Sequence, residues 1–181
     1  PEKCSFILPK KPAAILRSLL SKADEDIKVT FDLKNAYFEF EGNILICRLQ
    51  EGTYPAYRSV IPKNNPNKLI ISRLSLLNAV RRVAVCSNQS TSHIKLSLTH
   101  NNLVISASDT NFSMSAHETL ECSYEGDEMH IGFKSTFLAE ILSNLPYDEV
   151  SIELSDPTRA GLILAAGETD PDEVICSLLM P

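Results

Sequence analysis

Apolar residues recur in three similar stretches of the chain, and in each the spacing changes from helical to alternating. The stretches open with short apolar strands at about residues 6–8, 69–72 and 130–133. Apolar positions at helical spacing follow, over residues 9–21, 72–86 and 133–145. Because all three stretches share this order, the pattern predicts one repeated unit.

Strict alternation of apolar and polar residues comes after each predicted helix, as is typical of a half-buried strand. Two further strands complete each unit. The predicted strands cover 27–33, 36–40 and 43–49, then 94–99, 103–107 and 112–117, then 150–155, 161–166 and 173–180. The sequence thus predicts an α+β protein of three β-α-β-β-β units, with helices packed on one face of antiparallel sheets. Chance similarity among amphipathic segments is the alternative.

If two units form one closed domain, three units leave one unit without a partner. We therefore expect residues 1–62 to hold half of one domain plus a linker, and residues 63–181 to form a whole domain. The stretch EGTYPAYRSVIP at 51–62 is the predicted linker, because Gly52, Pro55 and Pro62 interrupt regular structure. The start at Pro1, without Met or a signal peptide, indicates a piece of a longer protein.

The charge is distributed unevenly, although the net charge of −6 argues against nucleic-acid binding. The predicted helices contain seven of the 17 basic residues and one of the 23 acidic residues, Glu140. If the helices share a face, that face is positive and can contact phosphates without reading base sequence. The alternative is a solvated helix surface, since Lys and Arg are good helix formers. The seven cations are Lys10, Lys11, Arg17, Arg73, Arg81, Arg82 and Lys134.

The sequence lacks the usual catalytic and metal-binding motifs. It contains no Gly-rich phosphate loop, GxSxG or HExxH. The four histidines have no His or Cys neighbour at ligand spacing, and the acidic run at 168–173 lacks the spacing of an EF-hand. The five widely spaced cysteines are interpreted as reduced core residues of a cytosolic protein. We predict a non-catalytic protein without metal or cofactor and without a membrane segment.

Three short motifs connect the repeats to a known family. EGTYPAYRSVIP (51–62), IGF (131–133) and LLMP (178–181) resemble bacterial DNA sliding clamps, the β subunit of DNA polymerase III. The resemblance covers essentially the whole chain and corresponds to the second half of the middle clamp domain plus the C-terminal domain. It implies the DNA-clamp fold, in which helices line the inside of a homodimeric ring around double-stranded DNA and sheets form the outside. It also implies a cytoplasmic processivity factor for DNA replication.

The resemblance implies functional residues as well. Lys10 and Lys11 match the basic pair at the start of a pore helix, and helix position adds Arg17, Arg73, Arg81 and Arg82 as DNA contacts. Val85 and Cys86 map to the subunit contact of the full-length homodimer. A hydrophobic pocket takes peptides of the polymerase catalytic subunit, the clamp loader and repair proteins. Its residues here are Pro55, Ser59, Val60, Thr91, Lys134, Phe137, Thr158, Ala160, Leu178, Leu179, Met180 and Pro181.

Some pocket positions differ from the family pattern. Ser59, Thr91 and Phe137 stand where the family has arginine, phenylalanine and tyrosine. The apolar character persists while the polar rim changes, which still suits a peptide with aliphatic and aromatic anchors. The alternative function is a peptide-binding adaptor without a DNA role, in which the helix cations are dispensable. An enzyme would need titratable side chains clustered in a cleft.

Overall fold

The computed structural model describes residues 5–21, 26–167 and 175–181. The chain divides into two compact units, Pro1–Ala56 (unit 1) and Tyr57–Pro181 (unit 2). The sequence places the boundary slightly later, between residues 62 and 63. The assignment of these units to particular clamp domains stays a prediction.

Unit 1 contains one copy of the repeat. Its three strands form an antiparallel sheet in the order β1-β2-β3, and α1 covers one face. A single bridge between Ile7 and Gln50 takes the place of the predicted first strand, because the segment before α1 makes no longer ladder among the described residues. The elements are α1 (Lys10–Leu20), β1 (Lys28–Phe31), β2 (Asn35–Phe40) and β3 (Asn43–Arg48).

The core of unit 1 is small and lies between α1 and the sheet. Pro12 falls in the first turn of α1, where its missing N–H leaves no helical hydrogen bond unmade. Glu41 and Gly42 both have positive φ, 45° and 74°, which gives the tight turn that matches the twist of a β2–β3 hairpin. The buried residues are Leu16, Ala36, Phe38, Phe40, Cys47 and Leu49.

Unit 2 contains the other two repeats, preceded by a short 3₁₀ turn at Tyr57–Ser59. The first of these repeats contains β4 (Asn67–Ser72), α2 (Arg73–Ala84), β5 (His93–Thr99), β6 (Asn102–Asp109), β7 (Met114–Glu121) and β8 (Ser123–Glu125). The second contains β9 (Met129–Lys134), α3 (Ser135–Asn144), β10 (Glu149–Leu154), β11 (Gly161–Ala165) and β12 (Ser177–Leu179).

The two repeats of unit 2 exchange their first strands. One sheet has the order β12-β11-β10-β4-β8, and the other has the order β7-β6-β5-β9. Thus β4 of one repeat pairs antiparallel with β10 of the other, and β9 pairs antiparallel with β5. Because each sheet contains a strand from both repeats, neither repeat has a complete sheet alone.

The core of unit 2 lies between the two sheets and the helices α2 and α3, which pack against each other. Alternation puts Ile94, Leu96 and Leu98 of β5 at 0% exposure, while their neighbours on β5 face outward. The inward side chains of both sheets, mostly β-branched and aliphatic, form this core together with one apolar side of each helix. The prediction of helices on one face of antiparallel sheets is therefore confirmed in this unit.

The predicted elements are mostly present, with three differences. The strand predicted at 112–117 lies at 114–121, and β8 was not predicted. The alternation at 27–33 yields a strand only over Lys28–Phe31, and Leu33 is 96% exposed. Of the strand predicted at 173–180, only residues 177–179 form β12. Cys4, the acidic run at 168–173 and residues 173–174 lie outside the described residues.

The four described cysteines are not joined by disulfides. Cys47 is buried in the core of unit 1, and Cys86 and Cys122 are half-buried. Burial raises the pKa of the Cys122 thiol, which keeps it protonated near neutral pH. Cys176 is exposed rather than buried, which differs from the expected core position.

Candidate functional site

A groove of about 580 Å³ runs between α3 and the C-terminal strand of unit 2. Six of the predicted pocket residues line it. The lining residues are His93, Lys134, Phe137, Glu140, Ile141, Leu178, Leu179, Met180 and Pro181.

The pairing of β12 with β11 positions the floor of the groove. Gly161 pairs with Leu179, and a side chain at Gly161 would meet a methyl group of Leu154 at 2.7 Å, so the glycine permits close packing here. Leu179 is then 5% exposed, while Met180, one residue on, is 61% exposed. The chain thus places one side chain in the core and the next at the groove surface.

The first turn of α3 forms the opposite wall. Leu138 points into the core at 1% exposure, whereas Phe137 is 52% exposed. Lys134 lies at the N-cap position of α3, and its Nζ is 5.0 Å from the centroid of the Phe137 ring, which is a cation–π distance. An apolar wall with a positive charge at its edge follows from this arrangement.

Sequence reasoning missed three residues of the groove. Ile141 and Glu140 follow Phe137 by four and three positions, so helical spacing alone puts them on its side of α3. His93 comes from β5 and reaches the groove because its backbone pairs with Lys134 of β9. That pairing joins two repeats, and no local pattern in the sequence signals it.

The remaining predicted pocket residues do not line this groove. Thr91 borders a different depression, Ala160 is buried at 6% exposure, and Thr158 donates from its N and Oγ1 to Asp156 Oδ1. The hydroxyl hydrogen bond of Thr158, followed by its N–H, lowers the pKa of the Asp156 carboxyl. Pro55, Ser59 and Val60 are exposed. Their place in a pocket stays a prediction.

Three histidines border one shallow depression of about 620 Å³ on the outer face of the sheet β7-β6-β5-β9. They are His93, His117 and His130, and His130 Nδ1 lies 2.9 Å from Ser97 Oγ. Within residues 5–21, 26–167 and 175–181, no group of three or more His, Cys, Asp or Glu could hold a metal ion.

The cations of α1 occupy an exposed position. Lys10 and Arg17 are seven residues apart, which is about 20° short of two full turns, so they project from nearly the same side. Lys11 is the next residue round the helix. Among the described residues, no carboxylate lies within ion-pair distance of these three side chains.

Arg73 performs a structural task at the start of α2. Its Nε donates to Tyr147 O, and its Nη1 donates to Leu142 O over 3.0 Å. Both carbonyls lie at the end of α3 or just after it, where helix carbonyls lack intrahelical donors. Arg73 thus joins the beginning of α2 to the end of α3, and its side chain is half-buried.

Arg81 and Arg82 leave α2 toward different neighbours. Arg81 Nη2 donates to Ser143 Oγ of α3 over 3.1 Å. Arg82 forms a two-point ion pair with Glu118 of β7. Arg73 and Arg82 are nine residues apart, about two and a half turns, so they emerge on opposite sides of α2. The three arginines therefore do not form one open patch.

Val85 and Cys86 follow α2 directly. The apolar side chain of Val85 is 76% exposed, and Cys86 is half-buried. Asn88 Nδ2 donates to Asp109 Oδ2 over 3.2 Å and joins this segment to the end of β6. Phe112, in the turn that follows, is 68% exposed. The neighbouring strand β7 pairs on one side only, with β6, among the described strands.

No helix in the described part of the chain is both long and apolar enough to cross a membrane.

Comparison with known proteins decides the family. Residues 58–179 match the family described as DNA polymerase III beta subunit, C-terminal domain, which is more than half of the chain. The chain belongs to the DNA polymerase III beta subunit family. This sliding-clamp family was the one indicated by the three short motifs, and the match confirms that prediction.

Individual relatives agree with this assignment. The beta sliding clamp of Haemophilus influenzae is 30% identical over 172 residues, which is 94% of this chain and 46% of that protein. That of Escherichia coli K12 is 31% identical over 153 residues, covering 84% and 41%. The chain spans about half the length of these sliding clamps.

A solved clamp structure confirms the fold. The sliding clamp (DNA polymerase III subunit beta) of Bartonella birtlesii, bound to griselimycin, matches with a TM-score of 0.89 at 32% identity. The match covers 97% of this chain and 46% of the Bartonella chain. The predicted α+β clamp fold is therefore that of the family.

Proposed function

We propose that this chain is part of a bacterial replication clamp, a non-catalytic ring that encircles double-stranded DNA and tethers the polymerase by short peptides. Its relatives named beta sliding clamp support this role. The observation that carries the tethering function is the groove between α3 and the C-terminal strand. The bacterial cytoplasm is the compartment that this role requires.

The groove has the chemistry of a peptide-anchor site. Phe137 and Met180 expose more than half of their surfaces there, and exposed apolar surface in a concavity is typical of a binding site. A bound peptide would remove this surface from water by inserting aliphatic or aromatic side chains. Lys134, His93 and Glu140 at the edge supply polar contacts of both signs.

The proposed occupants are peptides of the polymerase catalytic subunit, the clamp loader and other proteins that use the clamp. Griselimycin is bound to the Bartonella relative, and we propose it as a probe of the groove in this chain. We expect it to compete with a labelled polymerase peptide for unit 2. If griselimycin bound without displacing the peptide, the two ligands would have separate sites, and a peptide affinity unchanged by Phe137→Asp would then place the peptide outside the groove.

The proposed duplex contacts centre on α1. Lys10, Lys11 and Arg17 are exposed and have no carboxylate partner among the described residues, so their charge is available to phosphates. Arg82 would have to leave Glu118 to make such a contact, and Arg73 would have to leave two carbonyls. We therefore rank α1 ahead of α2 as a phosphate-binding surface.

The proposed subunit contact of the full-length homodimer lies at Val85 and Cys86. The exposed side chains of Val85 and Phe112 and the single-sided pairing of β7 support it, because an open strand edge beside apolar surface is suited to pairing with another chain.

A topological experiment tests the ring. The full-length protein that contains this chain is loaded onto circular duplex DNA, which is then nicked or cut through both strands. We expect retention on the nicked circle and release from the cut one, because a ring can only slide off an end. Equal retention on both would rule out a ring held by topology, and no retention on either would favour the alternative, a peptide-binding adaptor without a DNA role.

A further inference from the structure

The depression on the outer face of the sheet β7-β6-β5-β9 has small side chains in its middle and long basic ones around them. Gly132, Lys95, Ser106 and His117 lie in one row across the four strands, because each of them pairs with the next. Gly132 and Ser106 add little height to the sheet, whereas Lys95 and His117 project from it. The result is a shallow polar hollow of about 620 Å³.

The depression carries positive charge, although the whole chain has a net charge of −6. Its basic lining residues are Lys95, His93, His117 and His130, and no Asp or Glu of the described residues lines it. Within the described ranges, no carboxylate lies within ion-pair distance of Lys95. Glu118, which follows His117 on β7, points to the opposite face of the sheet. The depression is therefore complementary to an anionic group.

His93 joins this depression to the peptide groove. Its side chain lines both concavities, and its ring lies over Gly132, where an added Cβ would overlap it. The backbone of His93 pairs with Lys134, whose Nζ lies over the Phe137 ring of the groove. Lys95 follows His93 by two residues along β5, about 7 Å, which about two residues of an extended peptide span.

Both concavities belong to unit 2. The residues that line the depression fall between 91 and 132, inside the stretch 58–179 that matches the C-terminal domain of the family. The depression is thus part of the surface of that domain.

The chemistry of the lining suits carboxylate side chains. The ammonium group of Lys95, the imidazoles and the serine hydroxyls can all donate hydrogen bonds to a carboxylate. A nucleic-acid strand presents a phosphate at every nucleotide, whereas Lys95 is the one lysine among the lining residues. A short acidic segment of a peptide fits this surface better than a nucleic-acid strand does.

We propose that the depression binds acidic side chains of the same peptides whose apolar anchors occupy the groove. This inference rests on the proposed peptide-tethering function and adds a chemical preference to it. The anchors fill the groove beside Phe137, the peptide backbone passes His93, and an aspartate or glutamate two or three residues from the anchors reaches Lys95. Lys95 therefore determines specificity, while the anchors supply most of the affinity.

Two labelled peptides of equal length test this preference with the 181-residue chain. Both carry a leucine-phenylalanine anchor pair, and at the second and third residues from that pair one has aspartates and the other asparagines. Each peptide is made in two versions, with the polar residues before or after the anchors. In one version, we expect the aspartate peptide to bind about 3- to 10-fold more tightly at about 50 mM salt, because exposed ion pairs each contribute little. Salt at about 500 mM should remove most of this preference by screening.

Variants of Lys95 show whether the preference arises in the depression. Lys95→Ala should abolish it and leave the affinity for the asparagine peptide unchanged, whereas Lys95→Arg should retain it. Lys68→Ala is the matched control, because Lys68 is an exposed lysine on the other sheet of unit 2. Equal affinities for the two peptides, or a preference that survives Lys95→Ala, would overturn the proposal. Duplex DNA that bound less tightly to Lys95→Ala would also overturn it, by assigning this face to nucleic acid.

Phe137→Asp separates a failure of this inference from a failure of the groove assignment. It should weaken both peptides by a similar factor, because they share their anchors. If both peptides weaken but the aspartates add no affinity, the groove stands and the acidic preference is wrong. If neither peptide binds, or neither responds to Phe137→Asp, the groove assignment fails and this inference fails with it.

Discussion

Arg82 and Glu118 form a two-point ion pair that joins α2 to β7, with Nη2 2.6 Å from Oε1 and Nε 3.0 Å from Oε2. The hydrogen bond from Arg82, with its charge, lowers the pKa of the Glu118 carboxyl, and desolvation opposes this shift. A lowered pKa means that the folded state favours the charged carboxylate.

This pair predicts a pH dependence of stability. Its contribution is present above the ordinary carboxyl pKa of 4.5 and is lost as the pH falls through the lower folded pKa. We expect Glu118→Gln to reduce the urea midpoint at pH 7 slightly and to weaken its decline in acid. Urea titrations from neutral pH to below pH 4.5 measure this. If the urea midpoint of the variant fell in acid as steeply as that of the unmodified protein, the ion pair would not be a source of the pH dependence.

Arg73 is expected to matter for stability more than its neighbour Arg81. Arg73→Ala leaves the carbonyls of Leu142 and Tyr147 without these donors, and should lower the free energy of unfolding by about 1–3 kcal/mol. Arg81→Ala, which removes one exposed hydrogen bond to Ser143, should cost less than about 1 kcal/mol. Equal effects in chemical denaturation would contradict the structural role of Arg73.

Gly126 is required by the turn between β8 and β9. Its φ is +144°, and a side chain there would lie 2.8 Å from Asn67 Cα. Asn67 Oδ1 accepts a hydrogen bond from the Asp127 N–H over 2.9 Å, so an added side chain at Gly126 would disturb this hydrogen bond as well. We expect Gly126→Ala to destabilise unit 2 by about 1–3 kcal/mol.

Gly167→Ala is the control for Gly126→Ala. Among the described residues, no atom lies within 4 Å of the added Cβ at Gly167, and the φ of Gly167 is not in the left-handed region. Thermal melts of both variants make the comparison. A Gly126→Ala protein as stable as the Gly167→Ala protein would show that the turn can relax.

Phe137 is expected to carry peptide binding in the groove. Phe137→Asp should weaken binding of an apolar-anchored polymerase peptide by about 10- to 100-fold, because it places a charge where an anchor is buried. The fold should persist, since Phe137 is 52% exposed. Phe112→Asp, at a 68% exposed phenylalanine outside the groove, is the matched control. Fluorescence anisotropy gives both affinities, and equal affinities would exclude the groove.

Lys10 and Lys11 are expected to set the salt dependence of duplex binding. Each phosphate contact contributes about 0.9 to the slope of log K against log salt, so the double alanine variant should lower that slope by about 1.8. Lys95→Ala, an exposed lysine on the outer sheet face of unit 2, should leave the slope unchanged. Arg82→Ala should have a smaller effect than either α1 lysine because Glu118 already balances its charge. If the double alanine variant kept the slope of the unmodified protein, α1 would not contact phosphates.

Much of the groove could be predicted from patterns within short stretches of the sequence. Helical spacing predicts α3 and puts Ile141 beside Phe137, and the terminal LLMP motif identifies the segment that forms the floor of the groove. His93 was inaccessible, because it reaches the groove only through the pairing of β5 with β9. The same limit applies to Arg82 of α2. A count of charges along the helix treats Arg82 as unpaired, whereas in the fold it forms an ion pair with Glu118, 36 positions away in sequence.

The sequence by itself determined the three repeats, their helices and most of their strands, because side-chain periodicity reflects which face of a local element leaves water. Only the tertiary structure decided that the repeats of unit 2 exchange β4 and β9, that Arg73 binds the end of α3, and that Val29 and Phe31 stay exposed. These outcomes depend on contacts between distant segments. An alternating strand carries the same pattern whether or not a second strand lies along its edge.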